Sequence, residues 1–336
     1  MIQLNVSFKS IIWIIQKIIA RVSPLRCNLD KSISLRKTKD ESMITFLTTE
    51  EKIGLNNYKL FEDCKYRRIL EISKPVINPK TGIIWIDKKI LTESTLWDYK
   101  DLIKWEPRPL FPKKYEGIFL VLPDNGFFHF LIEDMPRFIQ ARQSNQKAIS
   151  ILGSKSKYMS EVVQILNLDQ CLSIEIPLKV DKILLSEKIK ERLFSLEDLN
   201  SLQNEFKHCI KPNKMRRVFI SRRDKEGVKY ISRGLDKKYE IERIFTNYNF
   251  EINYFEDLSF SEQIRICSEA SVIAGFHGAG LANLIWASPG TKIIEITNTR
   301  ETRHFNHISE ICSHDYALYS TLSPLVDLET LIRNSI

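Results

Sequence analysis

The sequence predicts two α/β lobes that follow one another along the chain. Three observations indicate this class: the length exceeds what one hydrophobic core usually organises, apolar runs of strand length alternate with amphipathic stretches, and turn residues separate them. Hydrophobic residues make up 43% of the 336 residues, enough for two cores. Because low-complexity tracts and fixed-length repeats are absent from the sequence, solenoids and propellers are excluded.

The net charge of +8 is concentrated in the first 39 residues. Eight Lys and Arg residues there stand against one Asp, so this segment carries +7 and the remaining chain only +1. A nucleic-acid-binding protein usually spreads its basic residues over the folded body that faces the nucleic acid. We therefore predict no nucleic-acid partner.

The same basic segment contains an apolar stripe at helical spacing. Ile and Val recur between Ile11 and Val22, but Lys17 and Arg21 interrupt the run. The run is too short and too polar to cross a bilayer, and no signal-peptide cleavage site follows it. Residues 1–40 are predicted to form a basic amphipathic arm, which either lies peripherally on an anionic membrane or packs on the first lobe or a partner.

The six cysteines indicate a reduced compartment. They lie far apart, without a CxxC pair or a nearby histidine at metal-ligand spacing. The sequence therefore predicts a cytoplasmic location, peripheral on the inner face of the cell membrane if the arm binds lipid. No metal site is predicted.

The first lobe is predicted to cover residues 41–195. Amphipathic stretches at 127–142 and 159–166 predict helices. Short apolar runs between turn residues predict strands at 82–87, 117–123, 148–153 and 183–186. Strands that alternate with helices imply parallel βαβ units.

The second lobe is predicted to cover residues 196–336, after a polar, helix-rich junction at about 188–214. Ser259 followed by Glu262 is typical of a capping box at the start of a helix over 260–269. Another helical pattern lies at 241–247. Strands are predicted at 218–221, 251–255, 271–275 and 292–296.

A strand of the buried type leads directly into the sequence His-Gly-Ala-Gly and a short helix from Leu281. Gly278 and Gly280 let a ligand approach the backbone closely, and the first amides of the helix carry partial positive charge. The loop also lies at the carboxyl end of a parallel strand, where open α/β sheets bind ligands. These features fit a diphosphate, although a tight connection between a strand and a helix also needs glycine.

Charged residues follow two neighbouring strands of the same lobe. The sequence VFISRRD places Arg222 and Arg223 just beyond a strand, and arginine binds phosphate oxygens through paired hydrogen bonds. One of the two is expected to face solvent, and we favour Arg222 as the phosphate ligand. Glu295, at the end of the next strand, is a candidate for binding ribose hydroxyls or is an ordinary strand-end carboxylate.

The segment GFFHFLIEDMPRF carries the catalytic candidates. It predicts a helix on which His129 and Glu133 stand four residues apart on one face, with Asp134 on the neighbouring face. An imidazole beside a carboxylate can act as a general base. The aromatic neighbours favour core packing as the alternative, and Pro136 predicts a kink or break in the helix.

Motifs of several other enzyme classes are absent from the sequence. GxSxG, HExxH and GxxxxGK are missing, which argues against the corresponding hydrolases and phosphate-loop enzymes. A DxD triplet, which would hold a divalent cation on a diphosphate, is missing too. Arginine and helix amides must then neutralise the diphosphate without a cation.

Three blocks in this order resemble glycosyltransferase family 61: NGFFHFLIEDMPRF, VFISRRD and LSFSEQIRICSEASVIAGFHGAGLANLIWASPGTKIIEI. The tail HFNHISEICSHDYALY is similar to the family's ending. The family holds plant xylan-decorating transferases, the extracellular O-GlcNAc transferase and many bacterial capsular polysaccharide proteins. Residues 1 to about 80 carry little of this resemblance.

The resemblance implies a GT-B architecture, in which two Rossmann-like lobes face a cleft, and inversion at the anomeric carbon. The donor would be a nucleotide-sugar, often UDP-linked, used as a substrate without a cofactor, and the acceptor a cell-surface glycan or glycolipid. Phe130 and Phe276 stand where many relatives have tryptophan and proline, which leaves donor preference open. The resemblance places Arg222 on the diphosphate and His129 with Glu133 on the facing lobe. It places against the donor His277 and the segment Gly278 to Asn283, which includes Ala279 and Gly280.

These observations predict a single in-line displacement. An acceptor hydroxyl, deprotonated by Glu133 or His129, attacks the anomeric carbon while the nucleotide diphosphate leaves. Two alternatives stay open: another nucleotide-sugar-modifying enzyme such as an epimerase, and a non-catalytic glycan-assembly protein that has kept the fold. An epimerase normally has GxGxxG near the N-terminus, and this sequence has none there.

Overall fold

The computed structural model describes residues 32–33, 44–46, 69–86, 89–91, 109–145, 147–186, 194–213, 215–223, 237–298 and 304–336. Apart from residues 32–33, the predicted basic arm lies outside the described residues. The chain forms two compact units. The first unit comprises residues 1–125, 133–159 and 168–191, and the second comprises residues 126–132, 160–167 and 192–336.

A mixed sheet forms the centre of the first unit. Its described strands are β1 (Ser32–Ile33), β2 (Ile44–Phe46), β3 (Ile69–Ser73), β4 (Val76–Ile77), β5 (Ile84–Ile86), β6 (Lys89–Leu91), β7 (Lys113–Leu122), β8 (Ile149–Leu152), β9 (Cys171–Ser173) and β10 (Leu178–Ser186). They lie in the order β1-β6-β5-β4-β10-β7-β8-β9, with β3 against β10 and β2 against β3.

This sheet has the parallel arrangement that the sequence predicts only in part. Strands β10, β7, β8 and β9 are parallel neighbours, and β1 is parallel to β6, whereas β3, β4, β5 and β6 also form antiparallel pairs. Burial differs among these strands: most of β8 is buried, whereas no residue of β9 is fully buried. The core of this unit includes Ile72, Ile77, Ile84, Phe119, Ile151, Leu178, Val180 and Ile183.

The helical segment after β7 is irregular, as Pro136 predicts. It consists of α1 (Phe127–His129), a π-helical turn (Phe130–Asp134) and α2 (Met135–Ser144). Pro136 has no N–H to donate to the carbonyl of Ile132, so the regular α-helical ladder is interrupted there. The second amphipathic stretch forms α3 (Lys157–Ile165).

The second unit contains a five-stranded, wholly parallel sheet within its described residues. Helices alternate with the strands: α4 (Leu196–Glu205), β11 (Arg216–Ser221), α5 (Lys238–Asn247), β12 (Glu251–Tyr254), a 3-10 turn (Phe255–Asp257), α6 (Phe260–Ser268), β13 (Ala270–Phe276), a 3-10 helix (Ala279–Trp286), β14 (Lys292–Thr297), α7 (His304–Ile311), β15 (Asp315–Ser320) and α8 (Leu325–Ser335). The α/β class is therefore confirmed.

The strand order β12-β11-β13-β14-β15 determines where this unit can bind a ligand. The chain moves from β11 outward to β12 and then returns to β13 on the other side of β11. The direction of winding reverses between β11 and β13, and such switch points open a crevice at the carboxyl ends of the strands. In this unit the two strands end at Ser221 and Phe276.

The capping box predicted for α6 is confirmed. The hydroxyl of Ser259 accepts a hydrogen bond from the N–H of Glu262 at 3.2 Å, and the Glu262 carboxylate accepts one from the N–H of Ser259 at 2.8 Å. These two bonds satisfy amides that the first helical turn leaves without partners. Within the described ranges, no helix combines the length and apolar character needed to span a bilayer.

Candidate functional site

Arg222 and Gly278 meet at the switch point of the second unit. Parallel pairing aligns Ile220 of β11 with Gly275 of β13, so Arg222 and His277 leave adjacent strands at the same level. Gly278 has φ 153°, and a Cβ at this position would overlap Nη2 and Cζ of Arg222. The half-buried guanidinium of Arg222 therefore lies directly against the bare backbone of the glycine loop.

The second glycine of the loop has a different reason for being small. A Cβ at Gly280 would lie 3.1 Å from Cγ2 of Ile220. Gly280 therefore lets the 3-10 helix pack closely on β11. The predicted helix from Leu281 forms as this 3-10 helix, which begins at Ala279.

His277 is held by a buried carboxylate. Its Nδ1 lies 2.5 Å from Oε1 of Glu295, and the hydroxyl of Tyr316 donates to Oε2 of the same carboxylate at 2.6 Å. Glu295 is only 1% exposed, whereas the His277 side chain is 21% exposed. Burial, followed by the hydrogen bond to Glu295, raises the pKa of the Tyr316 phenol well above its usual range, so this hydroxyl remains a donor.

This arrangement gives Glu295 protein contacts that the sequence does not predict. The sequence suggested a ligand for ribose hydroxyls or an ordinary strand-end carboxylate. The carboxylate is buried and both oxygens accept hydrogen bonds within the unit, and binding of ribose hydroxyls by Glu295 stays a prediction. Its observed contacts are with His277 and Tyr316.

Arg223 points away from the glycine loop. Its Nε donates to Oδ2 of Asp257 at 2.7 Å, and its guanidinium carbon lies 4.0 Å from the centroid of the Tyr254 ring. The side chain is 54% exposed. Arg222, rather than Arg223, is thus the arginine that the structure places at the switch point.

Asn283 is completely buried behind the loop. Its amide nitrogen donates to Oε1 of Gln263 at 2.9 Å and to the carbonyl of Gly280 at 3.1 Å, while its oxygen accepts from Nε1 of Trp286 at 3.1 Å. These bonds fix the 3-10 helix against α6. Direct contact of Asn283 with a donor stays a prediction.

An aromatic cluster lies beside His277 in the same unit. The ring centroids of Phe305 and His277 are 5.3 Å apart. Phe128 packs edge-on against Phe305, with 5.8 Å between the ring centroids. Phe128 also contacts the rings of His129 and His304, each at 5.5 Å. The packing thus brings His129, predicted as a catalytic candidate, into the cluster that contains His277.

His129 and Glu133 do not lie on one α-helix, as the sequence predicts they would. His129 ends α1, whereas Glu133 lies in the π-helical turn that follows it. His129 falls in the second unit, whereas Glu133 and Asp134 fall in the first. Both carboxylates are buried, and Oδ2 of Asp134 accepts a hydrogen bond from Nδ2 of Asn125 at 3.3 Å.

Four site residues were not singled out from the sequence: Phe128, His304, Phe305 and Tyr316. Tyr316 lies in β15 and reaches Glu295 in the neighbouring strand β14. Only the pairing of these two strands brings the groups together, and no local sequence pattern announces it. The tail block that resembles the family's ending contains His304, Phe305 and Tyr316, and this resemblance is the available signal for them.

The fold and the site together define an α/β protein with an arginine and a glycine loop at the switch point of a parallel sheet. The family model Glycosyltransferase 61 matches residues 127–294, half of the chain. The chain therefore belongs to glycosyltransferase family 61, which confirms the resemblance seen in the three sequence blocks. The matched range includes the helical segment with His129, Arg222, the glycine loop and part of β14.

Two plant proteins are similar to short parts of the chain. The β-1,2-xylosyltransferase RCN11 of Oryza sativa subsp. japonica is 44% identical over 63 residues, which is 18% of this chain and 12% of that protein. The β-1,2-xylosyltransferase of Arabidopsis thaliana is 43% identical over 54 residues, 16% of this chain and 10% of that protein. The chain thus aligns with only a small share of each relative's length.

Proposed function

We propose that this chain is a metal-independent, inverting glycosyltransferase of the GT-B type. It moves a sugar from a nucleotide-sugar donor, in which the sugar is linked to UDP, to a polysaccharide or glycolipid acceptor of the cell surface. The observation that carries the proposal is the position of Arg222 against Gly278 at the switch point of the second unit. Membership of glycosyltransferase family 61 supports the same reaction class.

The donor diphosphate fits this position for electrostatic and steric reasons. A guanidinium forms short, paired hydrogen bonds with phosphate oxygens. Because Gly278 has no Cβ, the guanidinium fits directly against the glycine loop, so one diphosphate can contact both the arginine and the loop. The cationic side chain stabilises the negative charge that develops on the leaving diphosphate, which is the role a divalent cation has in other transferases.

The chemical step is a single displacement at the anomeric carbon. A general base removes the proton of the acceptor hydroxyl, the oxygen attacks the anomeric carbon, and the bond to the diphosphate oxygen breaks on the opposite side. Glu133, His129 and Asp134 are the candidate bases. Glu133 and Asp134 are buried carboxylates, whereas His129 is half-buried beside Phe128.

Release of free nucleotide from a panel of donors tests this proposal. The purified chain is incubated with acceptor glycans and with UDP-xylose, UDP-glucose, UDP-N-acetylglucosamine and their GDP counterparts, with and without EDTA. UDP-xylose belongs in the panel because both similar plant proteins are named xylosyltransferases. We expect release of UDP from at least one donor with EDTA present. Turnover that disappears with EDTA and returns with manganese would contradict metal independence.

A non-catalytic glycan-assembly protein gives a different result in the same assay. Such a protein would bind a nucleotide diphosphate without consuming any donor sugar, even when acceptor glycans are supplied. A protein of this kind would show UDP binding by calorimetry together with zero release across the panel. That combination would overturn the enzymatic proposal while leaving the donor site in place.

A further inference from the structure

We infer that a loop of the first unit docks on an anionic lipid surface through Leu110, Phe111, Lys113 and Lys114. These residues belong to the segment 109–114, which leads into β7 and which we call the docking loop. The inference goes beyond the proposed function, because it assigns a lipid partner to a surface that has no part in the proposed reaction. Vesicle binding needs no donor sugar, so the inference and the proposed function can fail separately.

Two large apolar side chains of the docking loop are exposed. Leu110 is 63% exposed and Phe111 is 61% exposed. The chain bends at these two residues, just before β7 begins. Their apolar area stays hydrated in water, so transfer of both side chains into the interface of a bilayer is favourable.

Two prolines hold the exposed pair in place. Pro109 is buried and Pro112 is half-buried, so the loop is anchored on both sides of the pair. The ring of each proline fixes its own φ, and Pro112 also restricts Phe111 to an extended backbone. Insertion into a lipid surface therefore costs less backbone entropy than insertion of a flexible loop.

Lysines follow the exposed pair directly. Lys113 and Lys114 are both exposed, and the parallel register places Lys179 of β10 opposite Lys114. In the segment 109–115 both charged side chains are lysines. Basic side chains are attracted to anionic lipid head groups, while the apolar side chains beside them enter the bilayer interface.

Acidic side chains lie further along the two strands. Glu116 follows Phe111 by five positions, and Asp181 follows Lys179 by two, with Oδ2 accepting a hydrogen bond from the N–H of Gly117 at 3.0 Å. Another acid, Glu175, precedes β10. Each strand residue adds about 3.3 Å, so the charges nearest the exposed pair along β7 are those of the two lysines.

Two other exposed apolar side chains, in the second unit, have the opposite charge beside them. Leu322 is 82% exposed and Val326 is 61% exposed. Asp327 lies next to Val326 in the first turn of α8 and is exposed as well. An anionic surface repels this carboxylate. Leu322 and Val326 therefore form a control pair, equally apolar but without adjacent lysines.

Co-sedimentation of the full chain with vesicles tests the inference. Vesicles of phosphatidylcholine alone are compared with vesicles that contain phosphatidylcholine and phosphatidylglycerol in equal amounts. We expect wild type to prefer the mixed vesicles. We also expect binding to weaken between about 0.1 M and about 1 M sodium chloride, because the screening length falls from about 10 Å to about 3 Å.

Paired variants separate the apolar contribution from the charged one. Leu110→Ser with Phe111→Ser should bind the mixed vesicles about tenfold more weakly than wild type, because both apolar side chains are lost. Lys113→Gln with Lys114→Gln should weaken the same binding by roughly five- to thirtyfold and reduce its salt dependence. The control, Leu322→Ser with Val326→Ser, should stay within about twofold of wild type. Melting curves show whether each variant is folded.

Tryptophan fluorescence locates the contact in the docking loop itself. Phe111→Trp and Val326→Trp each add one indole to a chain that already has five tryptophans, so wild type supplies the background signal. Brominated lipids in the mixed vesicles quench indoles that enter the bilayer. We expect them to quench the added signal of Phe111→Trp and to leave that of Val326→Trp unchanged. This readout also applies if the serine variant does not fold.

Four results would overturn the inference. Wild type binds neither kind of vesicle, the folded Leu110→Ser and Phe111→Ser variant binds as wild type does, or the added signal of Phe111→Trp is not quenched. The fourth comes from sedimentation velocity without lipid: a wild-type dimer that becomes a monomer in the serine variant would show that the docking loop binds a second copy of the chain instead.

Discussion

The guanidinium of Arg222 occupies the volume that a side chain at position 278 would need. Two strands that are far apart in sequence deliver these residues, since Arg222 follows β11 and Gly278 follows β13. The contact thus depends on the parallel pairing of β11 with β13. It joins the predicted phosphate arginine to the predicted glycine loop in one site.

Substitution of Gly278 by alanine should damage this site. The new methyl group would overlap the guanidinium of Arg222, and the φ of 153° is one that residues other than glycine rarely adopt. We expect a loss of stability of about 1–3 kcal/mol and at least about tenfold weaker diphosphate binding. Chemical denaturation and calorimetry measure the two effects.

Gly117→Ala provides the control for backbone strain. Gly117 also has a positive φ, 119°, but a Cβ there meets its nearest neighbour, Cδ1 of Ile149, at an ordinary 3.5 Å. It belongs to the first unit. The control should lose stability and keep its diphosphate affinity. Unchanged affinity in Gly278→Ala would show that Arg222 does not need this space to bind the diphosphate.

Asn283 is expected to stabilise the folded protein through its buried hydrogen bonds. Asn283→Ala removes the partner of two buried polar atoms, Oε1 of Gln263 and Nε1 of Trp286, which lose these hydrogen bonds. We expect a loss of about 2–4 kcal/mol in the free energy of unfolding, measured by urea denaturation. Asn253→Ala is the control, because its exposed amide donates only to the carbonyl of Glu251 among the bonds described. Equal stability of the two variants would contradict the assigned role.

Tyr316 predicts how stability depends on alkaline pH. Burial and Glu295 raise the pKa of the folded phenol above the unfolded value of about 10. The unfolded chain then releases this proton first, so the contribution to stability is fully present below about pH 10 and is lost as the pH rises further.

Denaturation at several alkaline pH values measures this effect. The decline above about pH 10 should be shallower in Tyr316→Phe than in wild type. Other tyrosines with raised pKa values, such as Tyr319, contribute to both proteins and therefore cancel in the comparison. Parallel curves for the two proteins would contradict the contact between Tyr316 and Glu295.

Variants of the candidate bases separate catalysis from donor binding. We expect one of Glu133→Gln and His129→Asn to lower kcat by about 10²- to 10⁴-fold, the usual contribution of a general base. Donor affinity should remain within a few-fold, because neither residue is assigned to the diphosphate. Steady-state kinetics with the active donor measure both parameters. Full activity in both variants, and in Asp134→Asn, would exclude the proposed bases.

In the second unit, the observed strands agree closely with the predicted ones where apolar runs are continuous. The strand predicted at 292–296 forms as Lys292–Thr297, and that at 271–275 forms as Ala270–Phe276. These strands are buried in a parallel sheet, so their composition alone identifies them. The short antiparallel strands of the first unit, such as Val76–Ile77, are too brief to leave such a pattern.

The site is less predictable than the fold because its contacts are made between distant segments. Arg222 and Gly278 were each proposed from local patterns, but their contact depends on strand order. The sequence leaves the role of Glu295 open between ribose binding and an ordinary strand-end carboxylate, because it does not show that Tyr316 lies beside this residue. The local sequence predicts an α-helix through His129 and Glu133, whereas a π-helical turn holds Phe130–Asp134 before Pro136.

The affinity of Arg222→Ala for a nucleoside diphosphate tests the central claim most directly. Binding of UDP, GDP and CDP is measured by calorimetry with EDTA present, for wild type, Arg222→Ala and the control Arg223→Ala. Arg223 pairs with Asp257 and is largely exposed, so its loss should change Kd little. We expect wild type to bind one diphosphate without a cation and Arg222→Ala to bind it roughly 10- to 100-fold more weakly. Equal affinities of Arg222→Ala and wild type would contradict the account.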